Sequence, residues 1–158
     1  MAKSKKKKST ISGRLICKNK KAFFDYEIVE RMEAGISLMG SEVKSIRAGK
    51  ISIVDSYCEV EKQELYILQC NISEYPWANQ FNHSPRRKRK LLMHKFEIIR
   101  LGVKVIEKGL TIIPLSFYIN EKGKIKVEIA LVRGKKSHDK REAIKARDEA
   151  RIRSRDDY

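Results

Sequence analysis

Five basic side chains follow one another in the segment 86–90, Arg-Arg-Lys-Arg-Lys. Arginine guanidinium groups bind phosphate in a forked geometry, and lysine ammonium groups bind it as point charges. Tyr75, Trp77 and Phe81 come shortly before this segment, and aromatic faces can stack on unpaired bases. The pattern indicates a nucleic-acid contact, although a solvated basic loop and aromatic residues that pack inside the protein fit it as well.

Glu33 lies beside a glycine in Glu33-Ala34-Gly35, where the simplest interpretation is an exposed turn residue. A carboxylate is unfavourable next to phosphate. On an RNA-binding face it would serve to accept hydrogen bonds from base donors or ribose hydroxyls.

The sequence offers little for catalysis or metal binding. His83, His94 and His138 are far apart and lack the spacing of metal ligands. Nucleotide-binding loop motifs and a nucleophile elbow are missing from the sequence. We therefore expect no catalytic residue, no metal and no cofactor, and keep a paired-carboxylate nuclease as an alternative. Three widely spaced cysteines without a C-x-x-C pair favour a reducing, cytoplasmic environment over a disulfide scaffold.

The chain of 158 residues has the length of one modest domain with tails, and its net charge is +16. Residues 1–20 contain eight basic residues and no acidic one, and residues 133–158 contain ten basic and six acidic residues. The charge is thus concentrated at the ends, which indicates a polyanionic partner. No apolar run approaches the about 20 residues of a membrane span, so no membrane association is expected.

Alternating apolar residues predict strands between Ala22 and Arg133. The segments 111–120 and 124–131 predict one hairpin, and the segments 56–61 and 64–71 predict another. An opening strand is expected over 23–30 and 35–38, bent near Gly35.

Two helices are expected between the strands. One covers Ser41–Ala48. The other runs from Leu92 to Glu107 and carries an apolar stripe of Leu92, Phe96, Ile99, Val103 and Ile106. Short strands and a packed helix predict a mainly β fold with helices, an OB-like closed β-barrel, with a split α+β sandwich as the alternative.

The C-terminal segment is rich in helix-forming residues but has only two large apolar residues, Ile144 and Ile152. An isolated helix of this length is marginal in water. We expect a basic tail that is disordered alone and helical, from about residue 139, when bound. The domain prediction is a disordered basic arm over 1–12, an RNA-binding barrel over 13–133 and the tail over 134–158.

Several segments resemble the small protein B (SmpB) family of bacterial SsrA-binding proteins. They are Asn19–Ala22, Glu33–Ile36, Gly40–Lys50 (GSEVKSIRAGK), Arg89–Leu92 and Gly134–Arg141 (GKKSHDKR). Met93 stands where the family usually has leucine, which should affect packing only. The resemblance covers residues from about Ile16 to Arg155.

The resemblance implies a tmRNA-binding adaptor of trans-translation, which delivers tmRNA to stalled ribosomes and probes the vacant mRNA channel and decoding centre with its tail. Elongation factor Tu would be met indirectly through tmRNA, and DNA is not an expected partner. The implied tmRNA-binding residues are Asn19, Lys20, Lys21, Glu33, Arg89, Lys90 and Leu92. The implied ribosome-binding residues of the tail are Lys135, Lys136, His138, Asp139, Lys140, Arg141, Lys145 and Arg147. A basic structural ribosomal protein with an OB-like core is the alternative.

Overall fold

The computed structural model describes residues 13–78, 82–135 and 137–156, and its secondary structure is mainly β with a few helices. The predicted basic arm over 1–12 lies outside the described residues. The strands are β1 (Arg14–Lys18), β2 (Tyr26–Ile36), β3 (Ile51–Ser52), β4 (Tyr57–Glu61), β5 (Glu64–Leu68), β6 (Asn71–Ile72), β7 (Arg89–Leu92), β8 (Thr111–Ile119) and β9 (Ile125–Gly134). The helices are α1 (Lys20–Asp25), α2 (Gly40–Arg47), α3 (Lys95–Lys108) and α4 (Ser137–Asp156).

Seven strands form one antiparallel sheet in the order β1-β8-β4-β5-β7-β2-β9. Strand β8 also pairs with β9, so it contacts β1, β4 and β9. β3 and β6 form a separate two-stranded sheet. The longest pairing joins β2 to β9, from Tyr26 opposite Gly134 to Gly35 opposite Lys126. The C-terminal end of β2 is therefore held between β9 on one side and β7 on the other.

Both predicted hairpins are confirmed. β4 and β5 are joined by Lys62 and Gln63, whose φ angles of 48° and 62° are typical of a tight hairpin turn. β8 and β9 are joined by a turn in which Asn120 Oδ1 accepts hydrogen bonds from the backbone N–H groups of Lys122 and Lys124. These turns set the register that sends alternate side chains of each strand into the core.

The main core lies on the inner face of the sheet. Leu65, Ile67, Leu91, Phe117 and Ile129 are fully buried there. Burying a side chain of this size stabilises the fold by about 1.5–3 kcal/mol.

A second apolar cluster lies on the opposite face of the sheet. Here α1 places Ala22 against Ile113 and Leu115 of β8 and against Ala130 and Val132 of β9. The cover provided by α1 explains why β8 is apolar at nearly every position, since both of its faces are buried.

The N-terminal part of the fold differs from the prediction. Residues 20–25 form α1 instead of the start of a strand, because Asn19 caps this helix through its side chain. Strand β1 precedes it and was not predicted. β2 runs on through Gly35 without the expected bend, and its irregularity is a register shift between Ile28 and Glu30.

The predicted packing face of the long helix is wrong. Leu92 belongs to β7, and Phe96, Ile99, Val103 and Ile106 are 42–85 % exposed. The side chains of α3 that enter the core are Ile98 and Leu101. Helix α3 thus has two apolar faces. The sheet covers the face of Ile98 and Leu101, and the face predicted from the sequence is exposed.

The tail also differs from the prediction, because residues 137–156 form α4 in the chain by itself. The expected disorder of the free tail over 139–156 is therefore not found. Ile144 and Ile152 remain 47 % and 60 % exposed. The helix consequently exists without an extensive apolar contact to the rest of the protein.

Candidate nucleic-acid interface

Glu33 and Leu92 lie on neighbouring strands at the same end of the sheet. Gly35 of β2 pairs with Leu92 of β7, and Glu33 lies two residues before Gly35 on the same face of β2. Leu92 is 51 % exposed and Glu33 is exposed. The structure therefore brings these two predicted site residues together on an open surface.

Glu33 has one hydrogen-bond partner that the sequence did not suggest. The hydroxyl of Tyr118, in β8, donates to Glu33 Oε2. Tyr118 is only 4 % exposed, and its burial together with this bond raises the pKa of the phenol. Tyr118 therefore remains a donor at neutral pH and holds the Glu33 carboxylate in place. Tyr118 lies in the mainly apolar run 111–119, so this hydrogen bond could not be predicted from the sequence.

Asn19 lies elsewhere and is buried. Its Oδ1 accepts from the backbone N–H of Ala22 at 3.2 Å, and its Nδ2 donates to the carbonyls of Ile53 and Pro114 at 3.3 and 3.2 Å. Only 2 % of Asn19 is exposed. Seven residues of β2 separate α1 from Glu33, about 23 Å along a strand. Asn19 thus joins α1, the loop at Ile53 and β8, and does not share a surface with Glu33.

Lys20 and Lys21 are exposed on α1. Lys21 Nζ lies 3.6 Å from Asp55 Oδ1, in an exposed ion pair that contributes little to stability. Lys21 also lines a cavity of about 310 Å³, together with Tyr26 and Tyr57. These lysines are free to approach a phosphate backbone.

The basic segment 86–90 is not the open phosphate clamp that its sequence suggested. Arg89 is fully buried and donates to Glu42 Oε2, so it cannot contact a ligand from its position in this fold. Arg87 donates to Glu42 Oε1, from Nε at 3.1 Å and also from a terminal nitrogen. The interpretation of Arg89 as a supporting RNA contact is therefore corrected, because its charge is used inside the protein.

The remaining cations of this segment are at the surface. Lys88 pairs with Glu61, and Lys90 Nζ lies 3.0 Å from Glu64 Oε1. Arg86 is exposed and donates weakly to Gln69 Oε1 at 3.4 Å. Such exposed pairs are weak, so the lysines can exchange their carboxylate partners for phosphate.

Glu42 carries a buried negative charge that the sequence analysis did not single out. Burial by itself raises the pKa of a carboxyl group, but hydrogen bonds from Arg87, the Met39 backbone N–H and Arg89 outweigh it and hold the pKa of Glu42 below its ordinary value. Glu42 is therefore ionised at neutral pH. In the sequence, only the motif Ser41-Glu42-Val43 on a short predicted helix pointed to this buried charge.

The aromatic residues near the basic segment have different environments. Trp77 is 80 % exposed, whereas the ring of Tyr75 lies 5.4 Å from the Lys44 ammonium group. Phe81 lies outside the described residues. Trp77 is thus placed where a base could stack on it, and stacking there stays a prediction.

The tail begins with contacts to α1. The backbone N–H of Lys135 donates to the Asp25 carbonyl at 3.1 Å, and Lys135 Nζ donates to the Phe23 carbonyl at 3.2 Å. Further along α4, the Arg147 guanidinium lies 5.2 Å from the centroid of the Phe24 ring. These contacts place the tail helix beside α1.

The other predicted tail residues follow the helix. Arg141 and Lys145 are exposed on α4. His138, Asp139 and Lys140 lie in its first turn, and Lys136 lies outside the described residues. The structure thus places six of the eight predicted tail residues on α4.

The three thiols are free; Cys58 and Cys70 are buried, and Cys17 is half-buried. Burial raises the pKa of Cys17 to about 11 and also raises that of Cys58 and Cys70, so all three stay protonated. Within the described ranges, no three His, Cys, Asp or Glu side chains are grouped to hold a metal ion. No helix in the described part of the chain is long and apolar enough to cross a membrane.

Known proteins resemble this chain along most of its length. The family model described as SmpB protein matches residues 16–157. The SsrA-binding protein of Moorella thermoacetica is 55 % identical over 138 residues, which cover 87 % of this chain and 89 % of the relative. The SsrA-binding protein of Allorhizobium ampelinum is 51 % identical over 143 residues, which cover 90 % of each chain.

A solved structure described as "tmRNA-SmpB: a journey to the center of the bacterial ribosome" contains a similar chain. The two chains are 49 % identical and superimpose with a TM-score of 0.66, over 81 % of this chain and 93 % of the other. The fold, the shared segments and the match over nearly the whole length agree, and the chain belongs to the SmpB family.

Proposed function

We propose that this chain binds tmRNA and serves as an adaptor in trans-translation. Its relatives are SsrA-binding proteins, and the solved relative comes from a study of tmRNA and SmpB in the bacterial ribosome. The SmpB family consists of RNA-binding adaptors and not of enzymes.

One observation carries the proposal: Glu33 and Leu92 share an exposed surface on a protein of net charge +16. The charge attracts RNA without regard to sequence. An apolar side chain next to a fixed carboxylate adds the means to select an unpaired base. Lys90, two residues before Leu92 in β7, supplies positive charge beside this surface, and the lysines of α1 supply more near the other end of β2.

The pairing of β8 with both β4 and β9 supports an OB-like closed barrel for residues 13–133. In this proposal the barrel binds the tRNA-like domain of tmRNA. Asn19 contributes indirectly, because its buried side chain fixes α1 and the lysines that α1 carries. Arg89 contributes by fixing the segment that leads into β7.

Residues 134–158 form the ribosome-binding tail in this proposal. The structure contains α4 as a helix in the chain by itself, so we propose that a preformed helix leaves α1 and enters the vacant mRNA channel near the decoding centre. If mRNA filled the channel, the basic helix would be excluded. The residues that act there are Lys135, Lys136, His138, Asp139, Lys140, Arg141, Lys145 and Arg147.

The partners that follow are tmRNA and the small ribosomal subunit. Elongation factor Tu is met only through the tmRNA that it carries, and DNA is not a partner. The protein acts in the cytoplasm, where stalled ribosomes are found.

Removing the tail after Arg133 tests the two-part assignment. We expect the truncated protein to bind the tRNA-like domain with nearly unchanged affinity and to lose peptide tagging on stalled ribosomes. Equal loss of both activities would contradict the division of roles. Stoichiometric sedimentation with all ribosomes would support a structural ribosomal protein, and metal-dependent cleavage of structured RNA would support a nuclease.

A further inference from the structure

One side of α3 presents a row of large apolar side chains to solvent. This row is the α3 seam, and its members are Phe96, Ile99, Val103 and Ile106. They are 42–85 % exposed. Single apolar residues on a surface are ordinary, but a contiguous apolar patch marks an interaction site. Because Ile98 and Leu101 hold the opposite side of the helix in the core, the seam faces away from the body of the protein.

The spacing of the seam is that of a contact between two helices. Its members are separated by three, four and three positions. Apolar residues in this repeat keep one narrow stripe of a helix against a second helix. The stretch 96–106 has 11 residues, which is about 16 Å of helix. Apolar side chains offer no hydrogen bonds to phosphates or base edges, so a helix fits the seam better than RNA does.

The tail helix of this chain does not match the seam. Ile144 and Ile152 are its exposed large apolar residues, and they are eight positions apart. They would fill two layers of the contact, whereas the seam offers four. The tail also lies beside α1, where the Arg147 guanidinium is 5.2 Å from the centroid of the Phe24 ring.

A second copy of α3 matches the seam, because the seam has the same spacing from either end. Its outer members lie five positions from Leu101, and its inner members lie two positions from it. In an antiparallel pair, a twofold axis opposite this position brings Phe96 onto Ile106 of the second copy. The same axis brings Ile99 onto Val103. Such a self-complementary contact is the usual interface of a symmetric dimer.

The charges along the seam favour the antiparallel orientation. Arg100 and Glu107 lie on one edge, seven positions apart, and both are exposed. Like edges face each other in an antiparallel pair, so Arg100 of each copy approaches Glu107 of the other. Arg100 donates to Glu30 Oε1 at 2.7 Å, and its guanidinium has further donors for Glu107. In a parallel pair, Lys95 of one copy would instead face Arg100 of the other, which is repulsive.

We infer that the α3 seam is a self-association surface, at which two copies of this chain pack their α3 helices antiparallel about a twofold axis. The seam supplies roughly half of the about 800 Å² that each partner gives to a standard interface. The dimer is therefore weak and reversible, with a dissociation constant of roughly 10–100 μM. The seam shares no residue with the Glu33 and Leu92 surface, so this inference does not depend on the proposed function.

Sedimentation equilibrium of the full-length protein tests the association. The protein is treated with nuclease and measured from about 2 to 300 μM in about 0.5 M salt, where bound RNA no longer bridges two copies. We expect the mass to rise from monomer to dimer with concentration. Phe96→Gln combined with Ile106→Gln should weaken the dimer at least about tenfold, because it removes two apolar layers. Ile152→Gln is the matched control, since Ile152 is 60 % exposed outside the seam, and it should leave the dimer unchanged.

Cysteine cross-linking tests the orientation. Ile99→Cys protein is mixed with Val103→Cys protein, and one of them carries an affinity tag that gives the mixed dimer its own mass. Facing positions of an antiparallel pair are close enough for a disulfide, whose Cα atoms lie about 4.4–6.8 Å apart. Mild oxidation should therefore yield mostly the mixed disulfide. Equal yields of mixed and like disulfides would overturn the antiparallel arrangement.

The other outcomes also decide the inference. A monomer at every concentration would overturn it, and so would a dimer of unchanged affinity in the doubly substituted protein. Loss of the dimer in Ile152→Gln would assign the contact to the tail instead. A dimer that disappears after nuclease and salt treatment would show that RNA joins the two copies. If the doubly substituted protein does not fold, the cross-linking result decides. Binding of tmRNA is measured separately, so a failure of either proposal leaves the other standing.

Discussion

Arg89 donates from Nε to Glu42 Oε2, and neither side chain has any exposed surface. The other nitrogens of the guanidinium bind backbone carbonyls of Cys70, Ser84, Pro85 and Arg87 at 2.9–3.4 Å. This pair therefore joins α2 to the segment that precedes β7. The high positive charge of that segment suggests a ligand contact, but part of it, the Arg89 guanidinium, stabilises the fold instead.

Replacing Glu42 with glutamine should strongly destabilise the protein. The substitution leaves the Arg89 charge buried without a counter-charge, and loss of one partner from a buried ion pair costs about 3–5 kcal/mol. The free energy of unfolding, measured by urea titration, checks this value. Glu61→Gln removes the partner of Lys88 in an exposed pair and should have a much smaller effect. Equal effects of the two substitutions would show that the Glu42 pair does not hold the structure together.

The contribution of Glu42 should depend on pH. Its folded-state pKa is lowered, although burial alone would raise it, because Arg87, Met39 and Arg89 donate hydrogen bonds to it. The stabilisation is complete above the unfolded-state pKa of about 4.3 and is lost as the pH falls through the lower folded-state value. The difference in unfolding free energy between wild type and Glu42→Gln should stay constant from pH 6.5 to 8 and shrink below pH 4. A difference that stays constant into acid would contradict this assignment.

The hairpins could be predicted from the sequence because their causes are local. Alternating apolar residues and turn residues such as Gly123 are close together in the chain, and each signal agrees with its neighbours. The buried state of Arg89 has no such local cause. Its partner Glu42 is 47 residues away and is brought near by the pairing of β7 with β2 and β5.

The packed face of α3 likewise could not be predicted from local sequence. Its sequence contains apolar residues on two sides, and periodicity alone does not decide which side meets the sheet. The burial of Ile98 and Leu101 in the core sets the rotation of the helix, and the ion pairs of Glu30 with Arg100 and Lys104 join residues that are 70 and 74 positions apart in the chain. Likewise Glu33 and Leu92 were predicted by resemblance, but their proximity follows from the β2–β7 register.

The orientation of α3 predicts different costs for two neighbouring substitutions. Leu101 is fully buried, so Leu101→Ala should lower the free energy of unfolding by about 2–5 kcal/mol. Ile99 is 42 % exposed, and Ile99→Ala should change it by about 0.5 kcal/mol or less. Thermal or urea unfolding of the two variants decides between the faces. If Ile99→Ala lowered the free energy of unfolding more than Leu101→Ala, the apolar stripe predicted from the sequence would be the face that packs on the sheet.

Asn19 and Leu92 should affect RNA binding in different ways. Asn19→Ala removes a helix cap and leaves two buried carbonyls without their donor, which should cost about 1–3 kcal/mol of stability. Leu92→Ala removes an exposed side chain and should leave the melting temperature nearly unchanged. Both should weaken binding to the tRNA-like domain. A stable Asn19→Ala protein that binds poorly would show that Asn19 contacts the RNA directly.

The tail helix should loosen when the Phe24 ring is removed. The Arg147 guanidinium lies 5.2 Å from the ring centroid, and such a contact contributes about 0.5–1 kcal/mol at an exposed site. In Phe24→Leu protein we therefore expect the backbone amides of α4 to exchange with solvent about two- to fivefold faster, because a helix of this length is marginal without support. Phe23→Leu is the matched control, since within the described residues the cations over the Phe23 ring are Lys18 and Arg31. Unchanged exchange in Phe24→Leu would mean that α4 persists without its contact to α1, and release from α1 would then place no limit on its entry into the ribosome.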